Sequence, residues 1–295
     1  MRLVSYRSSG SAKTTPWRAG VVRDGDVVDV GSACVELSAD GELSTVKDFL
    51  ALDDRLSEVA DLTREAAPVG RIETLKIGPP VPDPEKILCI GLNYAEHAEE
   101  TKIDSSEVPT VFCKFANSLV GDGDPVVVPV VAKEIDYEGE LAVVIGRRCR
   151  RVSAGEALEY VAGVMPLNDV SARDLQMQTP QWTAGKAVDT FAPCGPHLVL
   201  MDEIDDIQDL RIQTRVNGET VQDASTALML HDVARIISFL SSVMTLEVGD
   251  IIATGTPAGV GFTREPPLLL HAGDVVEVDI SGVGLLRNVF EDETE

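Results

Sequence analysis

The sequence predicts an α+β protein, mainly β, in which a small amino-terminal α/β domain precedes a larger strand-rich one. Three observations carry that reading. From Lys86 onward, short β-like runs recur (KILCIG, TVFCKF, PVVVP, ELAVVIG, LRIQTRVNGETV, DIIATGTP, DVVEVDISGVG, LLRNVF), while helical patterns are few. No alternation of strand and helix supports a doubly wound parallel sheet. Pro79, Pro80, Pro82 and Pro84 form a stiff connector, since each ring fixes its own backbone and discourages helix in the residue before it. The expected division is residues 1–75, a connector at 76–85, and a larger domain at 86–292.

Taken in chain order, RAGVVRDGDVVDV (18–30) reads as two strands around a DGD turn, and 45–67 as a helical segment. GLNYAEHAEE (91–100) reads as a helix starting at Tyr94, with Asn93 as its cap and Glu96 in its first turn. VSAGEALEYVAG is expected as a helix whose capping box is Ser153 and Glu156. Over 228–245, Leu228, His231, Ile236, Phe239, Leu240 and Val243 make an approximately helical apolar face.

Composition limits the partners. With 295 residues, 44% hydrophobic and 25% charged, the chain is long enough for a sizeable core. A net charge of -24 argues against nucleic acid or an anionic membrane surface as partner. Cys34, Cys89, Cys113, Cys149 and Cys194 are scattered, without C-x-x-C or zinc spacing, and read as reduced thiols in apolar surroundings. The first twenty residues lack the apolar stretch of a secretory signal, and no apolar run approaches the length of a membrane span. The cytoplasm is the expected compartment.

The most informative stretch is EIDYEGELAVVIG (134–146). In a strand, residues i and i+2 share a face about 6–7 Å apart, so Glu134, Asp136, Glu138 and Glu140 are expected on one side, with Ile135, Tyr137, Leu141 and Val143 on the other. LAVVI is the continuous apolar run of a strand buried on both faces, which places Glu138 and Glu140 at the edge of a core. Two carboxylates about 6 Å apart repel by roughly 3 kcal/mol at an effective dielectric near 20, so a proton or a metal is required between them. The competing reading is a solvated strand end. A third carboxylate is offered by PLNDVSARDLQ (166–176), where Asp169 ends an apolar approach; it is equally readable as a turn or capping residue, while Asp174 is expected to pair with a nearby cation. Oxygen ligands without His or Cys favour Mg²⁺, Mn²⁺ or Ca²⁺ over zinc.

His97 and Glu100 lie three apart on one helix face, a spacing at which the carboxylate orients the imidazole and leaves its other nitrogen to accept a proton. A surface pair on an acidic helix is the alternative. His231 reads as a packed helix residue and His271 as a loop residue. Lys186, one of eight lysines, sits between Trp182 and Phe191, where an ammonium needs a carboxylate or an anionic ligand unless it snorkels to solvent. ATGTPAGVG (253–261) lacks the spacing of a P-loop or dinucleotide fingerprint; it reads as a turn exposing Thr254 and Thr256, with backbone donors available to an anion.

The succession GLNYAEHAEE, FCKFANSLVG, DYEGELAVVIG, NDVSARDLQ, QWTAGKAVDTFAP, TRVNGETVQDASTALM and GDIIATGTPAGVG resembles the fumarylacetoacetate hydrolase superfamily over about 86–290. The resemblance implies a mixed β-sandwich roll, a homodimer, and a divalent metal on Glu138, Glu140 and Asp169. It further implies His97 and Glu100 as a water-activating dyad, Lys186 as the active-site lysine, and Lys114, Arg173, Gln176 and Thr256 as contacts to a small oxo-acid substrate. The short amino-terminal part looks more like the acylpyruvase and isomerase/decarboxylase branch than true fumarylacetoacetase. The implied reaction is metal-dependent cleavage of a carbon-carbon bond in a 2,4-dioxo acid through a pyruvate enolate. Decarboxylation of an oxaloacetate-type acid, isomerisation of a 2-hydroxydienoate, lyase or dehydratase action on sugar-acid or ureido substrates, and an inactive metal-binding scaffold are the alternatives. Segment 97–109, polar and bounded by Pro109, is expected to act as a lid.

Overall fold

Strand Gly139–Ile145 organises the molecule because it is buried on both faces. In the computed structural model, which describes residues 1–12, 14–37, 43–103 and 106–294, its side chains alternate between two cores. Leu141, Val143 and Ile145 pack with Leu88, Ile90 and Ile252 against Ile212, Val278 and Leu286 of a second sheet and against Ile236 and Leu240 of helix Val233–Val243. Ala142 and Val144 enter a core with Met165, Leu167 and Cys89, covered by Phe49, Leu50 and Val59 from the amino-terminal helices. A strand so placed has no solvent face, which is why LAVVI shows no polar alternation.

The larger sheet runs Gly70–Arg71, Asp26–Asp29, Arg18–Arg23, Arg2–Ser8, Leu198–Leu200, Val161–Asn168, Gly139–Ile145, Ile251–Ala253, Ile87–Gly91, Thr110–Lys114, and Leu75–Gly78 also joins Arg2–Ser8. Its pairs are antiparallel except Ile251–Ala253 with Ile87–Gly91. The second sheet orders Glu219–Ser225, Arg211–Val216, Val275–Ile280, Gly284–Asp292 and Val126–Val128. The mainly β, α+β expectation is met, with no doubly wound core. Arg2 and Leu3 pair with Val199 and Leu198, so the first strands continue the main sheet rather than forming one of their own.

Several local signals mark an element without fixing its limits. The segment 45–67 divides into Val46–Leu50 and Leu56–Glu65, joined through Asp53 at φ 51°. Ser153 and Glu156 bond side chain to side chain at 2.6 Å without starting an α-helix; the chain makes only the 3-10 turn Ala157–Tyr160 before Val161–Asn168 enters the sheet. The last helix begins at Val233, where Asp232 accepts from the Arg235 backbone N–H at 2.7 Å. Leu228 and Val243, expected on its buried face, are 58% and 59% exposed, and His231 is buried ahead of the helix rather than in it. Helix Ala95–Thr101 is not capped by Asn93. That side chain instead donates to the His231 and Thr254 carbonyls and accepts from the His231 N–H, tying three segments together.

The first hairpin turns on Asp24 and Gly25, both left-handed at φ 51° and 82°, a two-residue turn whose twist matches its strands. Its end is fixed by Asp29, which accepts from Arg18 at 2.7 and 2.8 Å, from the Tyr6 hydroxyl at 2.5 Å and from the Ser32 N–H at 2.7 Å. Burial alone would raise the Asp29 carboxyl, but these donors outweigh it and hold it well below the usual range, while burial and Asp29 push Tyr6 up to about 12. A depressed carboxylate contributes stability above its unfolded pKa, near 3.9, that is lost as pH falls toward the folded value. Asp29→Ala is therefore expected to cost roughly 2–4 kcal/mol at pH 7, from a lost cap and an orphaned buried hydroxyl. Urea melts should show that penalty shrinking below about pH 4; a pH-independent penalty would remove the ionic part of the argument.

Candidate active site

The carboxylates meet because strand register places them together. Gly139 lies opposite Asn168, so the start of one strand adjoins the end of the next. The ladder continues beyond both strands: the Asp169 N–H donates to the Glu138 carbonyl at 2.8 Å, and the Glu138 N–H donates to Asn168 Oδ1 at 3.0 Å. One oxygen from each of Glu138, Glu140 and Asp169 lies within 4.8 Å of the others, and all three residues are buried. The expected row of four acids does not form, because the strand is interrupted at Tyr137 and Glu138. Glu134 is exposed. Asp136 is fully buried and turned to Arg173 at 2.8 Å and to the Gly261 N–H at 2.7 Å.

Three cations surround these acids. Lys186, at the end of helix Thr183–Lys186, is 1% exposed and sits 2.6 Å from Glu138 Oε2 and 2.9 Å from Asp169 Oδ2, so it does not snorkel. Lys114 reaches Asp169 Oδ1 at 2.5 Å and the Val170 carbonyl at 3.1 Å. Arg173 pairs with Glu138 Oε1 at 2.7 Å and with Asp136, under the ring of Phe262 at 4.4 Å. Burial lowers Lys114, which has one carboxylate partner and Lys186 as a like-charged neighbour; burial is outweighed at Lys186 by Asp169 and Glu138, so that ammonium is raised. Asp174 takes the Lys133 backbone N–H at 2.9 Å instead of the expected cation.

The glutamates differ sharply. Burial would raise Glu138, but Lys186 and Arg173 hold it down at about 2. Glu140 is pushed well above the usual range by burial and by the charges of Asp169 and Glu138; it accepts from the Gly255 N–H at 2.8 Å and has no salt bridge among the described residues. With all four ionised, Asp136, Glu138, Glu140 and Asp169 would face Lys114, Arg173 and Lys186 with one negative charge uncompensated, at Glu140, which is why that carboxyl holds its proton more tightly than usual. An oxygen-only donor set with an excess buried anion fits a hard divalent cation such as Mg²⁺, Mn²⁺ or Ca²⁺.

The loop after Ile251–Ala253 is an anion cradle turned inward. Thr254 and Thr256, expected at the surface, are buried and donate to the Leu141 and Gly139 carbonyls at 2.8 and 3.0 Å. Its backbone N–H groups serve the protein's own carboxylates: Gly255 on Glu140, Gly259 on Glu100 at 3.0 Å, and Gly261 on Asp136. At Gly259, φ is 107° and an added Cβ would lie 2.2 Å from the Val221 carbonyl oxygen.

His97 is buried, not a surface residue, and its Nδ1 lies 2.7 Å from Glu100 Oε1. Burial would raise Glu100, but hydrogen bonds from His97, Gly259 and Thr263 lower it, so the carboxylate is ionised and accepts. That assigns the proton to Nδ1 and leaves Nε2 as the acceptor. His97 opens on a cleft that Glu138, Glu140, Arg173, Gln176, Lys186 and Thr256 also line. Lys114, implied as a substrate contact, does not line it. Gln176 Oε1 accepts from Arg173 at 3.0 Å, so what it offers a ligand is its amide N–H. Of the expected lid 97–109, residues 104 and 105 lie outside the described residues, while Thr101 and Ile103 line the cleft. Sequence reasoning missed the roles of Asp136, Phe112 and Phe262; Asp136 carried no signal to separate it from the neighbouring acids.

Residues 86–291 match the family described as Fumarylacetoacetate (FAA) hydrolase C-terminal. The chain is 41% identical over 305 residues to a fumarylacetoacetate hydrolase domain-containing protein 2 homolog of Dictyostelium discoideum, covering 98% of this chain and 96% of that one. It is 38% identical over 296 residues to a mitochondrial oxaloacetate tautomerase of Xenopus laevis, covering 98% and 89%. The solved structure of maleylpyruvate hydrolase from a Sphingobium species, in complex with manganese(II) and pyruvate, aligns with a TM-score of 0.81 at 28% identity over 100% of both chains.

Glu140→Gln removes the one carboxyl that lacks a counter-ion while keeping the shape. It is expected to raise the melting temperature of metal-free protein, by about 1–3 kcal/mol of stability, and to abolish the further rise on adding Mg²⁺ or Mn²⁺. A wild-type melting temperature indifferent to both ions in calorimetry would remove the metal site.

Proposed function

This chain belongs to the fumarylacetoacetate hydrolase family, and from that premise we propose that it is a divalent-metal-dependent hydrolase cleaving a carbon-carbon bond in a 2,4-dioxo acid of the acylpyruvate type. The observation that carries the reading is one cleft in which Glu138 and Glu140, two members of a buried carboxylate trio with one acid lacking a counter-ion, meet an imidazole whose free nitrogen is a base. A divalent cation on Glu138, Glu140 and Asp169 would polarise the carboxylate and 2-oxo oxygens of the substrate and favour the enolate released on cleavage. With that ion the cluster carries one positive charge, which a carboxylate monoanion neutralises. Lys186 and Arg173 flank the same anion, and the Gln176 amide N–H donates to an oxo oxygen.

His97 Nε2 takes a proton from water as its oxygen attacks the distal carbonyl, and Glu100 holds the resulting imidazolium through Nδ1–H. The bond between C3 and C4 then breaks, giving a carboxylic acid and the enolate of pyruvate, which takes back at C3 the proton held by the His97 imidazolium. The tight hold of Gly259 and Thr263 on Glu100 keeps the imidazole oriented throughout.

A second reading, enol–keto tautomerisation or decarboxylation of an oxaloacetate-type acid, is favoured by the relative from Xenopus laevis. It uses the same cation site but no attacking water. The reading includes a homodimer in the cytoplasm: Val130 and Val131, 77% and 70% exposed, are apolar surface that a second copy would cover. Among the described residues no helix is long and apolar enough to cross a membrane.

Turnover of acylpyruvates, oxaloacetate and 2-hydroxydienoates, with product identification before and after metal removal, separates these reactions. His97→Ala is expected to lower hydrolysis by roughly 10²–10⁴-fold while sparing decarboxylation; equal loss of both would end the assignment of His97 to water activation. Light scattering should give twice the chain mass, and a monomer would remove the dimer alone.

A further inference from the structure

The loop that holds Glu100 is itself held, and we infer that Tyr137 and Arg264 are positioning residues for the His97 base, acting through Gly259. The inference rests on the reading of His97 as the base and adds the two side chains that aim it. Gly259 donates its N–H to Glu100 Oε2 at 3.0 Å, and Glu100 Oε1 meets His97 Nδ1 at 2.7 Å. A glycine has no side chain to restrict its own dihedrals, and this one stands at φ 107°. Its contacts must fix them. The Gly259 carbonyl accepts from the Tyr137 hydroxyl at 2.9 Å and from Arg264 Nε and Nη2 at 3.2 and 3.1 Å, so three donors converge on the residue whose N–H pins the carboxylate.

Each side chain is committed to this contact. In a chain with 49 acidic residues, Arg264 makes no salt bridge among the described residues; its guanidinium instead bridges the Gly259 carbonyl to that of Val221, at 2.6 Å. Val221 lies in strand Glu219–Ser225, whose next residue, Gln222, holds the same loop at Thr256 and Pro257. The seat is tight, since a Cβ at position 259 would overlap the Val221 carbonyl oxygen. Tyr137 ties the base to the cation site. It is fully buried between Asp136, which accepts from the Gly261 and Phe262 N–H groups of that loop, and Glu138 of the carboxylate trio. Three consecutive residues therefore serve the loop, the base and the cation in turn. Misplacing a reacting group by about 1 Å costs about 100-fold in rate, so a clamp on the base bears directly on turnover.

The test combines kinetics with a resonance that a purely structural role would not move. With metal-loaded protein and acetylpyruvate, Arg264→Ala is expected to lower kcat by about 10–100-fold with KM little changed. Tyr137→Phe, which removes one hydroxyl and keeps the ring in its core, is expected to lower it by about fivefold. Arg264→Lys keeps the charge without the fork that reaches two carbonyls, and should fall between Arg264→Ala and wild type. Of the four histidines, His97 is the one paired with a carboxylate among the described residues, so its Nδ1–H should give a downfield proton NMR signal that His97→Gln removes. That signal is expected to be lost to exchange in Arg264→Ala, while the rise in melting temperature on adding Mg²⁺ stays that of the wild type. Should Arg264→Ala not fold, Tyr137→Phe carries the same test. An unchanged signal and kcat in both variants overturn the inference, and so does loss of the Mg²⁺ response together with kcat, since the damage then reaches the cation site. A signal lost with hydrolysis intact upholds the clamp and ends the reading of His97 as the base, so the two failures are told apart.

Discussion

A buried carboxylate without a counter-ion is the constraint on which the rest of this structure depends. Three acids converge at the end of two paired strands, and the protein supplies cations to Glu138 and Asp169 but only a backbone N–H to Glu140. Burying such a group costs free energy that packing does not return, so its retention marks a place where stability yields to ligand chemistry. Neutralising it with another lysine would have been simple. Leaving it bare suits the site to the divalent cation proposed above.

The scaffold serves that constraint in two ways. Strand Gly139–Ile145, packed on both faces, cannot shift register by one residue without exchanging Leu141, Val143 and Ile145 of one core for the smaller Ala142 and Val144 of the other, so Glu140 is fixed in position. The loop 254–263 then reaches Glu140, Glu100 and Asp136 through successive backbone donors. One glycine-rich segment thereby sets the cation site, the orientation of the imidazole and the placement of Arg173. Displacing the loop would disturb all three together.

The charge balance also links cation site and substrate. One excess negative charge becomes one positive charge with a divalent ion, and a monoanion restores neutrality. The rings of Phe112 and Trp182, which meet edge-on in the cleft wall, add no charge to that balance.

The sequence by itself determined what local spacing encodes. Two-residue periodicity joined Glu138 to Glu140, three-residue spacing joined His97 to Glu100, and an unbroken apolar run marked a strand buried on both faces. It left Asp169 and Lys186 open, since a turn residue or a snorkelling lysine has the same local sequence. It misread Asp136, the threonines of the 254–256 loop and the helix expected in VSAGEALEYVAG, and it drew the helix within 228–245 too long. Only the tertiary structure decided which carboxylate would lack a partner, because the deciding contacts join residues far apart in the chain: Lys186 with Glu138 across 48 positions, Lys114 with Asp169 across 55, and Gly255 with Glu140 across 115. Electrostatic compensation acts through space, and periodicity along a chain carries no record of it.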